Sequence, residues 1–318
     1  MATGDRRKAG LRLGIGDDAA LLSPRAGSDL VVSSDFFLQD RHFLLRFHPA
    51  DSVGYKSLAR AASDLAAMGA EPAAFLLNLA LPADKTGAWL NSFLAGLARA
   101  SREIGILLIG GDLAKYRTVA ISITVMGYVS SGRAARRSGA RPGDLIYISG
   151  KLGAARLGLE LIRKRADRKR GAQRLLQPHL YPSARTELGA WLARRRLVTS
   201  MMDISDGLSI DLNRLCQASR VGAIVEAARI PRVRIPGPWA KLLRLRASAP
   251  VDFALNGGDD YELLFTVPPR RARELRRAPG GVPLTCIGKI TRARHLDVVD
   301  SFGRKSPLAP GGWDHFRD

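Results

Sequence analysis

Cysteine is nearly missing. The chain has two in 318 residues, Cys216 and Cys286. They form no CxxC pair and no zinc spacing, which excludes a disulfide scaffold and a thiolate metal centre. Both sit in apolar stretches, so reduced thiols in a cytoplasmic protein are expected. Aromatic residues are few, at 6%, and no RNP-type aromatic motif occurs. No apolar run reaches the roughly 18 residues of a membrane span. The basic N-terminal residues 1–8 are not followed by an apolar core, so a signal peptide is not expected. Gly150-Lys151-Leu152-Gly153 is Gly-rich, yet GxxxxGK[ST] is absent and so is a P-loop. No internal repeat or low-complexity tract is found.

What is present suits a globular protein. Hydrophobic residues make up 46% and charged residues 25%, enough for sizeable cores. The length fits two domains. The net charge of +21 permits nucleic-acid binding. The basic residues, however, gather in helix-like segments around 163–170 and 194–196, which read first as solvated faces. Specific nucleic-acid recognition is therefore not expected, and attraction of anionic small substrates fits the charge equally well.

Against this basic background the acids form a pattern. Gly14-Ile15-Gly16-Asp17-Asp18 sets two carboxylates after flexible backbone. The idea recurs at Ser33-Ser34-Asp35, Ser63-Asp64, Gly110-Gly111-Asp112, Asp203-Ile204-Ser205-Asp206-Gly207 and Gly257-Gly258-Asp259-Asp260. Each one alone reads as a turn, a cap or a solvated acid. The periodicities predict strands at 29–35, 73–81, 104–109 and 118–129 and helices at 51–68 and 84–103. After a basic linker at 130–143 they predict strands at 144–149, 221–226, 261–267 and 283–290 and a helix near 208–219. The acids then fall at strand ends or helix ends. Asp64 lies near a helix C-terminus, where an anion calls for a compensating cation. Ser205 or Asp206 is placed either to cap the helix that follows or to hold metal-bound phosphate.

Several carboxylates without cysteine ligands select hard cations such as Mg²⁺ or Mn²⁺. Such a cluster would repel itself unless metal ions and polyphosphate neutralised it. The pattern points to phosphoryl transfer or phosphate-ester chemistry.

The ordered set of stretches at 14–22, 33–43, 55–69, 108–112, 137–143, 203–212, 257–265 and 312–316 resembles the thiamine-monophosphate kinase family. That family belongs to a superfamily with aminoimidazole ribonucleotide synthetase, selenophosphate synthetase and a hydrogenase-maturation protein. The matches span nearly the whole chain. The resemblance implies a two-domain α/β (α+β) fold of the aminoimidazole ribonucleotide synthetase-like type. Residues 1–135 would form the ATP- and Mg²⁺-binding, dimerising domain and residues 136–318 the C-terminal α/β domain. It implies a homodimer whose N-terminal strands, 73–81 and 118–129 among them, build a shared barrel. The implied reaction moves the ATP γ-phosphoryl group onto thiamine monophosphate. By position, Asp18, Asp35, Asp64, Asp112 and Asp203 would hold Mg²⁺ with Ser33 and Ser34 assisting, and Asp206 would bind a further ion. Gly111, Asp112, Arg137 and Ser205 would contact the nucleotide. His42, Asp259 and Trp313 would contact thiamine monophosphate. An indole face attracts a cationic thiazolium ring, although Trp313 also reads as a core anchor, His42 as a polar loop residue and Arg137 as a surface arginine. No general base is needed, because the nucleophile is an already ionised phosphate oxygen.

Some positions depart from the family pattern. Asp40-Arg41 replaces the Gly before the His-Phe pair, Leu113 replaces a Thr, and Asp259 replaces a Glu. Only thirteen residues precede Gly14, where the family carries an amphipathic helix. Two other readings differ in class. One is another ATP-using enzyme of the superfamily; the other is a non-catalytic nucleotide-binding or nucleic-acid-binding protein.

Overall fold

The computed structural model describes residues 10–313. The readings at residues 1–9 and 314–318 lie outside the described residues. Strands β1 (Leu11–Leu13) and β2 (Leu21–Leu22) pair as a ribbon around the Gly-Asp-Asp stretch. There follow β3 (Ser28–Leu38), α1 (Ala50–Met68), β4 (Glu71–Leu81), α2 (Ala88–Ile104), β5 (Leu107–Lys115) and β6 (Ala120–Ser130). They form a four-stranded sheet of order β3-β6-β4-β5. Only β4 and β5 pair in parallel, with α2 as the crossover between them.

The second half opens with β7 (Leu145–Ser149), α3 (Ala154–Arg163), α4 (Ala172–Leu180), α5 (Thr186–Arg194) and β8 (Ser200–Ile204). It continues through α6 (Leu208–Ser219), β9 (Gly222–Glu226), α7 (Gly237–Leu242), α8 (Ala249–Asn256) and β10 (Glu262–Val267). It closes with β11 (Leu284–Thr291), β12 (Leu296–Val299) and β13 (Lys305–Pro307). A mixed seven-stranded sheet of order β13-β12-β9-β11-β7-β10-β8 results. The mixed α/β class expected from the periodicities is what forms. Among the described residues no helix is long and apolar enough to cross a membrane.

Helix α1 lies at the centre. Its sequence is rich in Ala and Ser, and buried residues occur all round it. Such a helix has no solvent face. Leu58, Ala61 and Leu65 join the core of the first sheet, while Ala66 joins the cluster of Trp191, Met201 and Phe265 beneath the second. Close approach requires glycine at the crossings. A Cβ on Gly54 would stand 2.0 Å from the Phe93 carbonyl oxygen, and one on Gly96 1.8 Å from that of Asp51. Gly69, in the left-handed region at φ 71°, ends α1 as its sequence predicts.

Two local expectations are corrected, and the start of α1 carries no side-chain cap. Strand β5 runs on through Gly110-Gly111-Asp112 to Lys115, so Asp112 lies within a strand and not at its end. Pairing to β4 carries it past the glycines. Neither Asp51 nor Ser52 caps α1. Asp51 accepts instead from the Tyr181 hydroxyl, and the Ser52 hydroxyl donates to the Pro49 carbonyl. At α6 neither Ser205 nor Asp206 is the cap. Gly207 occupies that position, and the orphan amides of Asp206 and Gly207 are taken by Asp211 from inside the helix, at 3.0 and 3.1 Å. The cysteines are free thiols; Cys216 is buried, but Cys286 is only half-buried.

Candidate active site

The strand ends and helix ends of both halves frame a cleft of about 1090 Å³. Asp35 comes from β3, and Arg60 and Asp64 stand one turn apart on α1. Asp203 ends β8, with Ser205 and Asp206 in the turn beyond it. Asp259 and Tyr261 precede β10. Of the residues expected from sequence, Asp35, His42, Asp64, Arg137, Asp203, Ser205, Asp206, Asp259 and Trp313 all line this one cleft.

The acids are held from behind. The Ser33 hydroxyl donates to Asp64 at 2.5 Å. The Ser63 hydroxyl donates to Asp203 at 2.7 Å. Arg60 Nε meets Asp35 at 3.3 Å. Arg214 bridges Asp206 and Asp211, at 2.5 and 2.8 Å. Burial pushes the Asp203 carboxyl up to about 7, and the neighbouring Asp64 adds to this. Burial likewise raises Asp64, with the Asp35 charge acting in the same direction against the Ser33 hydrogen bond. Burial lifts Asp211 to about 6 with the help of Asp206. In a chain with far more cations than acids, Asp64 and Asp203 are held here by hydroxyls, while Asp35, Asp206 and Asp211 have arginine partners.

The cleft is also lined by Phe43, Leu44, Phe47, Leu159 and Ile162, by His42, His48 and His179, and by Arg41, Arg46, Arg156, Arg163 and Arg165. His42 Nδ1 accepts from the Leu38 amide at 3.0 Å, which fixes the ring at the end of β3. Trp313 is bound back to the site, its amide donating to the Asp206 carbonyl at 3.0 Å. The Arg41 guanidinium lies over the indole, 5.0 Å from the centroid. Its side chain therefore presents an occupied cation-binding face rather than a core anchor. His48 and His179 approach at 3.1 Å through their Nε2 atoms, and burial lowers both, His48 to about 4.

Five expected residues do not line the cleft: Ser33, which reaches Asp64 from behind, and Asp18, Ser34, Gly111 and Asp112. Cross-strand pairing sets Asp35, Ile123, Leu77 and Gly111 in one row and Phe36, Ser122, Asn78 and Asp112 in the next. Rows alternate between faces. Asp35 therefore faces α1, whereas Asp112 and Ser34 point to the opposite, open face, where Ser34 meets the Thr124 hydroxyl at 2.9 Å. Asp18 is exposed in the turn between β1 and β2, where Asp17 accepts its amide at 2.8 Å. Gly111 is required by its backbone: at φ 147° a Cβ would lie 1.8 Å from the Leu77 carbonyl oxygen.

Sequence reasoning missed several groups that shape the cleft. Ser63 was visible only as the neighbour of Asp64. Arg60 precedes Asp64 by one helical turn, a spacing that places both on one face. Asp211, four residues after Gly207, had the spacing of a capping acid. Lys56 gave no signal, since a lysine in a helix ordinarily reads as solvated. Asp260 was quoted but given no role; it accepts from the amides of Gly153 and Ala155 at the start of α3, at 2.7 and 3.4 Å.

The donor set suits a divalent cation. Asp35, Asp64 and Asp203 offer oxygen donors alone, the choice of Mg²⁺ or Mn²⁺. Burial first, and neighbouring carboxylates second, raise Asp64 and Asp203, and a bound cation would favour their ionised forms. Among the described residues no three acids, histidines or cysteines converge closely enough to hold an ion by themselves, so phosphate oxygens or water would complete the coordination.

Two halves that contribute acids to one cleft, each half carrying its own mixed sheet, define an AIR synthase-related protein. Residues 16–129 match the family model described as AIR synthase related protein, N-terminal domain, and residues 141–301 match its C-terminal domain. Thiamine-monophosphate kinase of Escherichia coli K12 is 40% identical over 96% of this chain and 92% of its own. The crystal structure of thiamine-monophosphate kinase from Stenotrophomonas maltophilia superposes with a TM-score of 0.82 at 37% identity, covering 91% of each chain. A solved structure described as AaThiL complexed with AMPPCP and TMP gives 0.81 at 31% identity, covering 95% of this chain and 92% of that one. The chain belongs to the thiamine-monophosphate kinase family.

Proposed function

We propose that the chain transfers the γ-phosphoryl group of ATP to thiamine monophosphate, giving thiamine diphosphate and ADP. The observation that carries this is the single cleft in which carboxylates meet histidine, aromatic and apolar side chains, Trp313 among them, set between arginines. A metal–polyphosphate and an aromatic cation need just these groups. A relative in complex with AMPPCP and TMP supports the reading.

The residues divide by position. Of the proposed Mg²⁺ set Asp18, Ser33, Ser34, Asp35, Asp64, Asp112, Asp203 and Asp206, the acids Asp35, Asp64, Asp203 and Asp206 line the cleft with Ser33 behind Asp64, and Asp18, Ser34 and Asp112 would have to meet a metal site from outside it. Gly111, Asp112, Arg137 and Ser205 take the nucleotide. His42, Asp259 and Trp313 take thiamine monophosphate. Bound Mg²⁺ would neutralise phosphate charge and bring anion to anion. The protein's own part is orientation. Ser33 and Ser63 fix the two buried carboxylates. Arg137 and Arg214 at the cleft counter phosphate charge. An acceptor phosphate oxygen forms the new bond to the γ-phosphorus as the bond to the ADP oxygen breaks, and no proton need move first.

The division into residues 1–135 and 136–318 is supported by sheets built from 28–130 and 145–307. A homodimer is supported by the open face of the first sheet, on which Leu30, Val32 and Phe36 are 51%, 55% and 64% exposed. Such a patch reads as an interface, and a second copy would complete the barrel and bring another chain toward Asp112. A cytoplasmic setting follows from the substrate class. The deciding experiment is a coupled assay for thiamine diphosphate with ATP and Mg²⁺. Turnover of formylglycinamidine ribonucleotide with none of thiamine monophosphate would overturn the proposal.

A further inference from the structure

The Lys56 amine lies inside α1, 1% exposed, in a helix whose residues are buried or half-buried along its length. Burying an ammonium costs several kcal/mol unless it is paired. Its partner lies 203 residues away: Nζ donates to Asp259 Oδ2 at 2.8 Å. The other oxygen, Oδ1, accepts from the Tyr261 hydroxyl at 2.8 Å. The backbone of this loop is also unusual. Asp259 and Tyr261 both hold positive φ, at 60° and 51°, and their amides are bound to the Ser205 and Ile204 carbonyls at 2.7 and 2.9 Å. Left-handed backbone at two non-glycine residues persists only where surrounding contacts over-determine it. Asp259 faces the cleft, whereas Lys56 lies behind it and does not line it.

We propose that Lys56 is a positioning residue: its ammonium, reaching from the first half of the chain, fixes the Asp259 carboxylate and its loop in the orientation that meets thiamine monophosphate. This rests on the proposed substrate. It adds that Asp259 meets the substrate with lone pairs left over from Lys56 and Tyr261, and that the thiamine site is aligned across the two halves through α1. Arg60 on α1 and His179 on α4, whose Nδ1 lies 3.9 Å from Asp259 Oδ2, are the other cationic or titratable groups facing the acid, and Asp260 is its neighbour in the chain.

The test measures KM for each substrate in Lys56→Met and Lys56→Ala. Misplacement by about 1 Å can cost on the order of a hundredfold, so we expect KM for thiamine monophosphate to rise at least about tenfold. KM for ATP should stay within about twofold, since Asp35, Asp64, Asp203 and Asp206 are untouched. In Lys56→Ala, propylammonium should lower KM for thiamine monophosphate toward the wild-type value, and propanol of equal size should not. A merely structural role would move both KM values together, or would be met equally by propanol; either result overturns the proposal, as does an unchanged KM. If Lys56→Met fails to fold, Lys56→Ala refolded with propylammonium or with propanol gives the same comparison. Failure of the wild-type protein to make thiamine diphosphate would instead remove the substrate reading, so the two failures are told apart.

Discussion

The Ser63 hydroxyl on α1 donates to the Asp203 carboxylate at the end of β8, 2.7 Å away and 140 residues along the chain. Ser63 is fully buried and Asp203 nearly so. Its neighbour Asp64 is bound the same way by Ser33 from β3. Two hydroxyls thus hold two mutually repelling acids, one from each half of the chain, at the seam. Ser63→Ala leaves Asp203 buried without this donor. The expected cost is about 1–3 kcal/mol of stability, read by urea unfolding, with thiamine diphosphate formation falling more steeply than stability. A fall in stability with full turnover would show that the bond serves folding alone.

Protonation follows from the same crowding. Asp203 and Asp260 are each pushed up to about 7, burial being the largest cause for both. A carboxyl raised in the folded state binds protons more tightly there than in the unfolded chain. Its contribution is present at low pH and is lost as pH rises toward the folded value. His48 and His179 are lowered by burial and act oppositely, destabilising as pH falls through about 6.5, but this contribution is common to the protein with and without Mg²⁺. Mg²⁺ must displace the Asp203 proton at pH 6 and not at pH 8. The rise in melting temperature on adding Mg²⁺ is therefore expected to be larger at pH 8. In Asp203→Asn this pH dependence should weaken, with Asp64, also raised by burial, carrying what remains; an unchanged dependence would place the ion elsewhere.

Much of this arrangement was legible in the sequence, though not evenly. Helix α1 and most strands of both sheets carry their own periodicity, although β8, β12 and β13 were not read as strands, and Gly69 marks a helix end by chemistry local to it. The acids were legible as a recurring Gly-Asp or Ser-Asp pattern. Lys56 was not, because its burial comes from α1 being covered on all sides, a tertiary fact that a helical stripe does not encode. Strand β5 overran its glycines because pairing with β4 outweighed local turn preference. The capping of α6 was misplaced, because Gly207 takes the cap position and the Asp211 side chain reaches back from the helix to the amides of Asp206 and Gly207.

The crossing of α1 and α2 gives a prediction independent of the reaction. A methyl at Gly54 would sit 2.0 Å from the Phe93 carbonyl oxygen, which is backbone and cannot swing away. Gly54→Ala must push the helices apart although alanine favours the helix by nearly 1 kcal/mol. The net result should be a loss of about 1–3 kcal/mol, measured by thermal or urea unfolding. Unchanged or increased stability would mean that the helices separate freely.

Asp112 and Phe36 lie in one cross-strand row on the open face of the first sheet, remote from the face of Asp35. Both are exposed. If a second copy closes over this face, the two residues fail in different ways. Asp112→Asn should leave folding within about 0.5 kcal/mol, as exposed substitutions do, and leave the dimer intact while abolishing thiamine diphosphate formation. Phe36→Asp should place a charge in the interface and yield monomer by sedimentation, with activity lost along with the dimer. A monomeric, fully active Phe36→Asp would detach the barrel from catalysis. Retained turnover in Asp112→Asn would remove that acid from the metal set and leave the cation to Asp35, Asp64 and Asp203 alone.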